Sequence, residues 1–194
     1  MSLSRFNLRL LLAAVVVLAA HGSARADSSC GKQDFSLNVP QIVKNLQKDP
    51  CENKGTSVVV DLYERILFLC ESGVAKKGYR VSIGTSGFPK VKEGDKKSPV
   101  GAFELGKPRV SNDGFHVFIP VGYPNVEQMG RGFTGQDIGI HGPPREDRCA
   151  GEDNVSYNWT DGCIALPDDT SIETVAKFVK RFGSMKVHLT AKWR

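Results

Sequence analysis

The sequence contains no Cys-x-x-Cys pair. That spacing builds structural zinc sites and thioredoxin-like redox centres, so neither is supported. It contains no internal repeat, which sets aside stacked-repeat architectures. Beyond residue 26 no apolar run is long enough to span a bilayer. Charge of one sign is scarce too: 26 Lys and Arg face 21 Asp and Glu. The densest basic stretch, Lys90 to Lys97, is broken by Glu93, Gly94 and Asp95 and has no interleaved aromatics. It is expected to be a solvated turn, and no nucleic-acid partner is suggested. The 194 residues suffice for one domain with a substantial core, not for two ordinary ones.

The first 26 residues read as a secretory signal peptide. Arg5 and Arg9 form a positive start, Leu10 to Ala20 is apolar and uncharged, and Ala24-Arg25-Ala26 is a small-x-small cleavage site. Cleavage near Asp27 removes Arg5, Arg9 and Arg25 and lowers the formal charge from +5 to +2. Export places the protein in an oxidising compartment, the periplasm or cell wall, with no stable membrane span after cleavage. Five cysteines are present: Cys30, Cys51, Cys70, Cys149 and Cys163. An odd number implies at least one free or intermolecular thiol. The expectation is that Cys163 stays free, Cys30 pairs with Cys51, and Cys70 pairs with Cys149.

Residues 27–55 form a polar extension with one or two helical turns between Pro40 and Leu46. The core begins at residue 56. Ser57 to Tyr63 and Arg65 to Cys70 are β-rich runs joined by a tight turn, a hairpin signal. Gly78 to Gly84, Ser98 to Leu105 and Phe115 to Ile119 are further strands. After Cys163 the period changes. Asp168 and Asp169 cap a helix in which Ile172, Val175, Ala176, Val179 and Phe182 recur at helical spacing, and Gly183 ends it. Met185 to Leu189 is a closing strand. The fold class is mostly β, a β-rich α+β domain with one packed C-terminal helix.

The stretch from Ile138 to Ala165 organises the rest. Ile138-Gly-Ile-His141-Gly142 and Thr160-Asp161-Gly162-Cys163-Ile-Ala165 each run apolar residues against a glycine. A buried strand looks like this when it delivers one reactive side chain to its rim. From residue 56 onward the order of features resembles the L,D-transpeptidase catalytic domain, the YkuD-type family. The signature is the His141-Gly142 pair followed by Thr160-Asp161-Gly162-Cys163. Supporting motifs are the hairpin through Asp61, Ser98-Pro99-Val100-Gly101-Ala102-Phe103, and Tyr123-Pro124-Asn125. Two departures bear on which donor and acceptor are bound. Many members have histidine where this chain has Asp161, and arginine or asparagine where it has Ala165 and Leu166.

The resemblance implies a β-sandwich or barrel fold and an exported cysteine acyltransferase of cell-wall biogenesis and cell shape. Cys163 is the nucleophile and His141 the base. An adjacent imidazole can lower a thiol from about 8.5 to about 6, making thiolate the main form. Gly142 orients the histidine through its carbonyl, and Gly162 contributes to an oxyanion hole. Tyr123, Trp159, Thr160 and Asp161 are candidate substrate contacts, although Asp161 also fits a plain turn and Trp159 a core position. His116 and His188 are expected to be structural. The charged loop from Pro143 to Tyr157 joins base to nucleophile and is expected to form a lid. Partners are peptidoglycan stem peptides and, for anchoring, a wall-anchored protein; no metal or organic cofactor is required. The acceptor could be an amine, giving a transpeptidase, or water, giving an L,D-carboxypeptidase or a hydrolase that releases anchored protein. A catalytically silent wall-binding module would keep the fold without the chemistry.

Overall fold

Two β-branched runs start the core. Val58, Val59 and Val60 in β1 (Ser57–Asp61) pair antiparallel with Leu69, Phe68 and Leu67 in β2 (Ile66–Glu71). The turn between them is closed by Asp61, whose Oδ1 accepts the N–H groups of Tyr63 and Glu64. Both strands are buried on both faces, which explains why they are continuously apolar instead of alternating. The computed structural model describes residues 33–111 and 114–191; the proposed signal peptide lies outside them. Among the described residues no helix is long and apolar enough to cross a membrane.

The first sheet has the order β3-β2-β1-β9-β4, with β3 Val74–Arg80, β4 Gly101–Glu104 and β9 Lys186–Thr190. The closing strand β9 lies parallel to β1 at its centre. The second sheet has the order β5-β6-β7-β8, with β5 Arg109–Val110, β6 Val117–Pro120, β7 Gly139–His141 and β8 Ile164–Ala165. Its inner residues Ile119, Ile140 and Ile164 meet Val58, Val60 and Leu67 in one core. The mostly β expectation holds, as a sandwich of two mixed sheets.

The packed helix is α3 (Asp169–Phe182), capped by the Asp168 carboxylate on the Ser171 N–H and ended by Gly183. Ile172, Val175, Ala176, Phe178 and Val179 turn inward; each side chain removed from water contributes roughly 1.5–3 kcal/mol. Two shorter helices accompany it, α1 (Val39–Leu46) within the expected extension and α2 (Val126–Gly130). The second was missed, although Asn125 and Gln128 form a reciprocal capping box around its start.

Two boundaries differ from expectation. The run Gly78 to Gly84 is not one strand: β3 ends at Arg80, and the chain then crosses to the second sheet, where Ser82 bridges Ala165 and Gly84 bridges Thr160. The Lys90–Lys97 turn is not simply solvated. Lys90 is 3% exposed and its ammonium lies 2.9 Å from Asp95. Burial alone would raise the Asp95 carboxyl; the N–H groups of Val91, Lys92 and Lys97 and the Lys90 ammonium outweigh it and hold it at about 2.

The disulfide expectation is corrected. Cys51 pairs with Cys70, 19 residues apart, because Cys51 packs against the outer face of β2 beside Phe68 and Val39. A Cys70–Cys149 bridge is therefore excluded. Cys149 is itself disulfide-bonded, and Cys30 lies outside the described residues. The Cys51–Cys70 bridge fastens the end of the extension to the first sheet. Replacing both cysteines by alanine is expected to lower unfolding stability by about 3 kcal/mol, read from guanidinium denaturation, and non-reducing peptide mapping should recover the two as one linked pair.

Candidate active site

Strand pairing sets the site. β7 and β8 run parallel, with Ile140 opposite Ile164 and His141 opposite Ala165. The isoleucines face the core, so His141 and Ala165 face outward. One residue earlier in that register Cys163 lies opposite Gly139, whose N–H is directed at the sulfur. Cys163 and His141 therefore share the outer face of the second sheet, one pleat apart on adjacent strands, about 8 Å between Cα atoms for ideal strands. Cys163 is free and half-buried.

His141 is 1% exposed, and its Nδ1 lies 2.6 Å from the Gly142 carbonyl oxygen. A carbonyl only accepts, so the neutral ring carries its proton on Nδ1 and its lone pair on Nε2. Phe115 stacks on the ring at 3.8 Å between centroids, and Trp159 meets it edge-on at 5.6 Å. Burial lowers the imidazole to about 4, against the opposing bond to the Gly142 carbonyl.

The thiol departs from expectation. Burial pushes Cys163 up to about 11; the carboxylates of Asp161 and Asp137 add to the rise, while the Gly139 N–H and Lys90 oppose it. Its S–H donates to the Asp137 carbonyl at 3.5 Å. Burial thus favours the neutral thiol and the neutral imidazole over thiolate and imidazolium.

The turn before the nucleophile is held from inside. The Thr160 hydroxyl donates to the Cys163 carbonyl at 2.8 Å and accepts from the Gly162 N–H at 3.2 Å. Ser98 Oγ accepts from the Gly84 N–H and donates to the Gly162 carbonyl. Gly162 has φ of +133°, and a Cβ there would lie 2.6 Å from the Lys97 carbonyl oxygen, so the position demands glycine. Its N–H is spent on Thr160, which removes it from an oxyanion role. Ala165 N–H donates to Ser82 and Leu166 N–H to His141. Among the described residues the Cys163 N–H makes no hydrogen bond beyond the strand pairing, in contrast to that of Gly162.

The candidate substrate contacts separate. Trp159 is half-exposed beside His141, with its indole N–H on the Asn154 carbonyl. Asp161 is exposed, 3.9 Å from the Lys96 ammonium. Thr160 and Tyr123 are spent within the protein: the Tyr123 ring packs edge-on against Phe103 and its hydroxyl donates to the Thr134 carbonyl. The loop 143–157, expected to form a lid, is pinned along its length. Arg145 donates to the carbonyls of Phe115 and Ser111, Asn154 to that of Leu166, and Val155 is buried. His116 sits on the other side, 3.0 Å from Glu173 of α3, and His188 is half-buried in β9. Sequence reasoning missed Phe115, Ser82 and Asn154. Among the described residues no cluster of three or more His, Cys, Asp or Glu could hold a metal ion.

A thiol with so raised a pKa is expected to react with iodoacetamide at a rate that climbs about tenfold per pH unit from 7 to 10, since only thiolate attacks and its fraction grows tenfold per unit below the pKa. Intact mass against time measures this. A plateau already reached below pH 8 would contradict the neutral resting pair.

The fold has counterparts among known proteins. The crystal structure of the helical cell shape determining protein Pgp2 from Campylobacter jejuni superposes with a TM-score of 0.57 at 28% identity, over 73% of this chain and 53% of that one. Bd1075 from Bdellovibrio bacteriovorus superposes with a TM-score of 0.50 at 20% identity, over 71% of this chain and 48% of that one. The chain thus spans about half the length of these two relatives. A search of curated proteins finds no match. Residues 55–188 match the YkuD family model, described as the L,D-transpeptidase catalytic domain, and the chain belongs to that family.

Proposed function

We propose that this protein is an exported cysteine L,D-transpeptidase acting on peptidoglycan stem peptides, in wall cross-linking or in anchoring protein to the wall. The observation that carries the proposal is the placement of a free Cys163 and a tautomer-fixed His141 on one face of one sheet. Export is supported by the leader-like first 26 residues and by the disulfides, which persist in oxidising compartments. In this reading residues 27–55 are an extension strapped to the catalytic domain that follows. The relative named for helical cell shape supports a role in wall architecture.

The mechanism follows from the resting state. Donor peptide enters above Cys163 with its scissile carbonyl between diaminopimelate and the terminal D-alanine. The thiol leaves the Asp137 carbonyl and passes its proton to Nε2 of His141 as sulfur attacks. Transfer from a thiol near 11 to an imidazole near 4 is uphill in the empty site, so deprotonation accompanies carbon–sulfur bond formation instead of preceding it. The Cys163 N–H faces the developing oxyanion, a contribution typically worth 10²–10³ in rate. The Gly142 carbonyl holds the imidazolium by its Nδ1 proton. His141 then returns its proton to the departing D-alanine amine, leaving a thioester that an amine from a second stem or an anchored protein resolves.

Exchange of labelled D-alanine into a tetrapeptide stem tests this. Wild type should exchange, Cys163→Ala should not, and His141→Gln should slow exchange by roughly 10²–10⁴. Equal exchange by wild type and Cys163→Ala would overturn the proposal. Product masses from sacculi separate an amine acceptor from water.

A further inference from the structure

The outer face of the second sheet carries a cation, Arg109, that the proposed reaction does not use. Arg109 in β5 pairs with Phe118, Phe118 with His141, and His141 with Ala165. Residues directly opposite across a ladder share a face, so these four form a single row. Arg109 is therefore on the same face as Cys163 and two strand spacings, about 10 Å, from His141. The row is also continuous in its side chains. The Arg109 guanidinium lies 4.9 Å from the Phe118 ring centroid. The Phe118 ring is nearly parallel to His141, 11° between planes and 6.3 Å between centroids. Gly139 leaves room for this arrangement: a Cβ there would lie 2.2 Å from the Phe118 ring.

Stacking occupies one face of a guanidinium and leaves the N–H donors around its edge unused. Those in-plane donors are the ones that grip a carboxylate in bidentate fashion. Among the described residues Arg109 makes no ion pair and no hydrogen bond, and its side chain is exposed. A charged group held in orientation by an aromatic floor, with its donors unspent, is preorganised for an anionic ligand. The carboxylates of Asp137 and Asp161 act on Cys163 and are opposed there by Lys90.

We infer that Arg109 is a carboxylate subsite for the donor stem, a specificity residue that anchors the peptide at the β5 edge of the sheet while its scissile carbonyl lies over Cys163. The inference rests on the stem-peptide reading above. A stem offers two carboxylates away from the scissile bond, the side-chain carboxylate of diaminopimelate and the α-carboxylate of D-glutamate.

Calorimetric titration of the Cys163→Ala protein with a tetrapeptide stem measures binding apart from chemistry. Adding Arg109→Gln is expected to raise Kd about tenfold or more, and Arg109→Lys to recover part of the loss. Amidating the partner carboxylate should weaken binding to the Arg109 protein by a similar factor and leave the Arg109→Gln protein unaffected; stems amidated at one position or the other identify which carboxylate it is. Unchanged Kd in Arg109→Gln overturns the inference. So does a loss that persists when both carboxylates are amidated. Exchange by the wild type on the same stem keeps the two questions apart: turnover without any Arg109 dependence sinks the subsite alone, and absence of both binding and turnover sinks the reaction as well.

Discussion

The parallel pairing of β7 with β8 is the constraint on which the site depends. Period-2 alternation means that a one-residue slip would turn His141 into the core and bring Ile140 out. The register is fixed because Ile119, Ile140 and Ile164 form one buried row on the inner face, and burying them is worth several kcal/mol. The placement of His141 and Cys163 is thus held by apolar packing on the opposite side of the same sheet. Parallel strands need a long connection. Here it runs through residues 142–163, which carry the pinned loop and bring Trp159 edge-on to His141.

Much of this was legible in the sequence. The continuous valine run of β1, the capped heptad-like spacing of α3, and the glycines beside His141 and Cys163 are local signals, set by residues near one another in the chain. What was missed depends on distant contacts. The split of Gly78–Gly84 between two sheets rests on Ser82 pairing with Ala165, which no local pattern encodes. The disulfide partner of Cys51 depends on where the extension packs, and Phe115 becomes a wall of the site only because the β5–β6 connection folds over His141. The Lys90–Lys97 turn is mostly exposed, as its charge pattern suggests, but that pattern does not reveal pairing: Asp95 neutralises Lys90 locally and allows its ammonium to be buried.

Burial raises the thiol pKa where the motif suggests an imidazole would lower it. Proximity to an imidazole lowers a thiol pKa only where the ring can carry charge. His141 lies between Phe115, Trp159 and the sheet, and desolvation costs the imidazolium more than the Gly142 carbonyl returns. Desolvation acts on both partners in the same direction, favouring the neutral forms. A sequence motif specifies which groups meet; the enclosure around them decides which protonation state is stable.

A sulfur that holds its proton so firmly has a consequence outside the reaction itself. Oxidants and foreign disulfides attack the ionised form, and an unfolded cysteine exposes far more of it than Cys163 does once enclosed. Folding therefore quiets the one unpaired cysteine of the described chain. The enclosure thus shields Cys163 from scrambling with the cysteines that couple, Cys51 and Cys70.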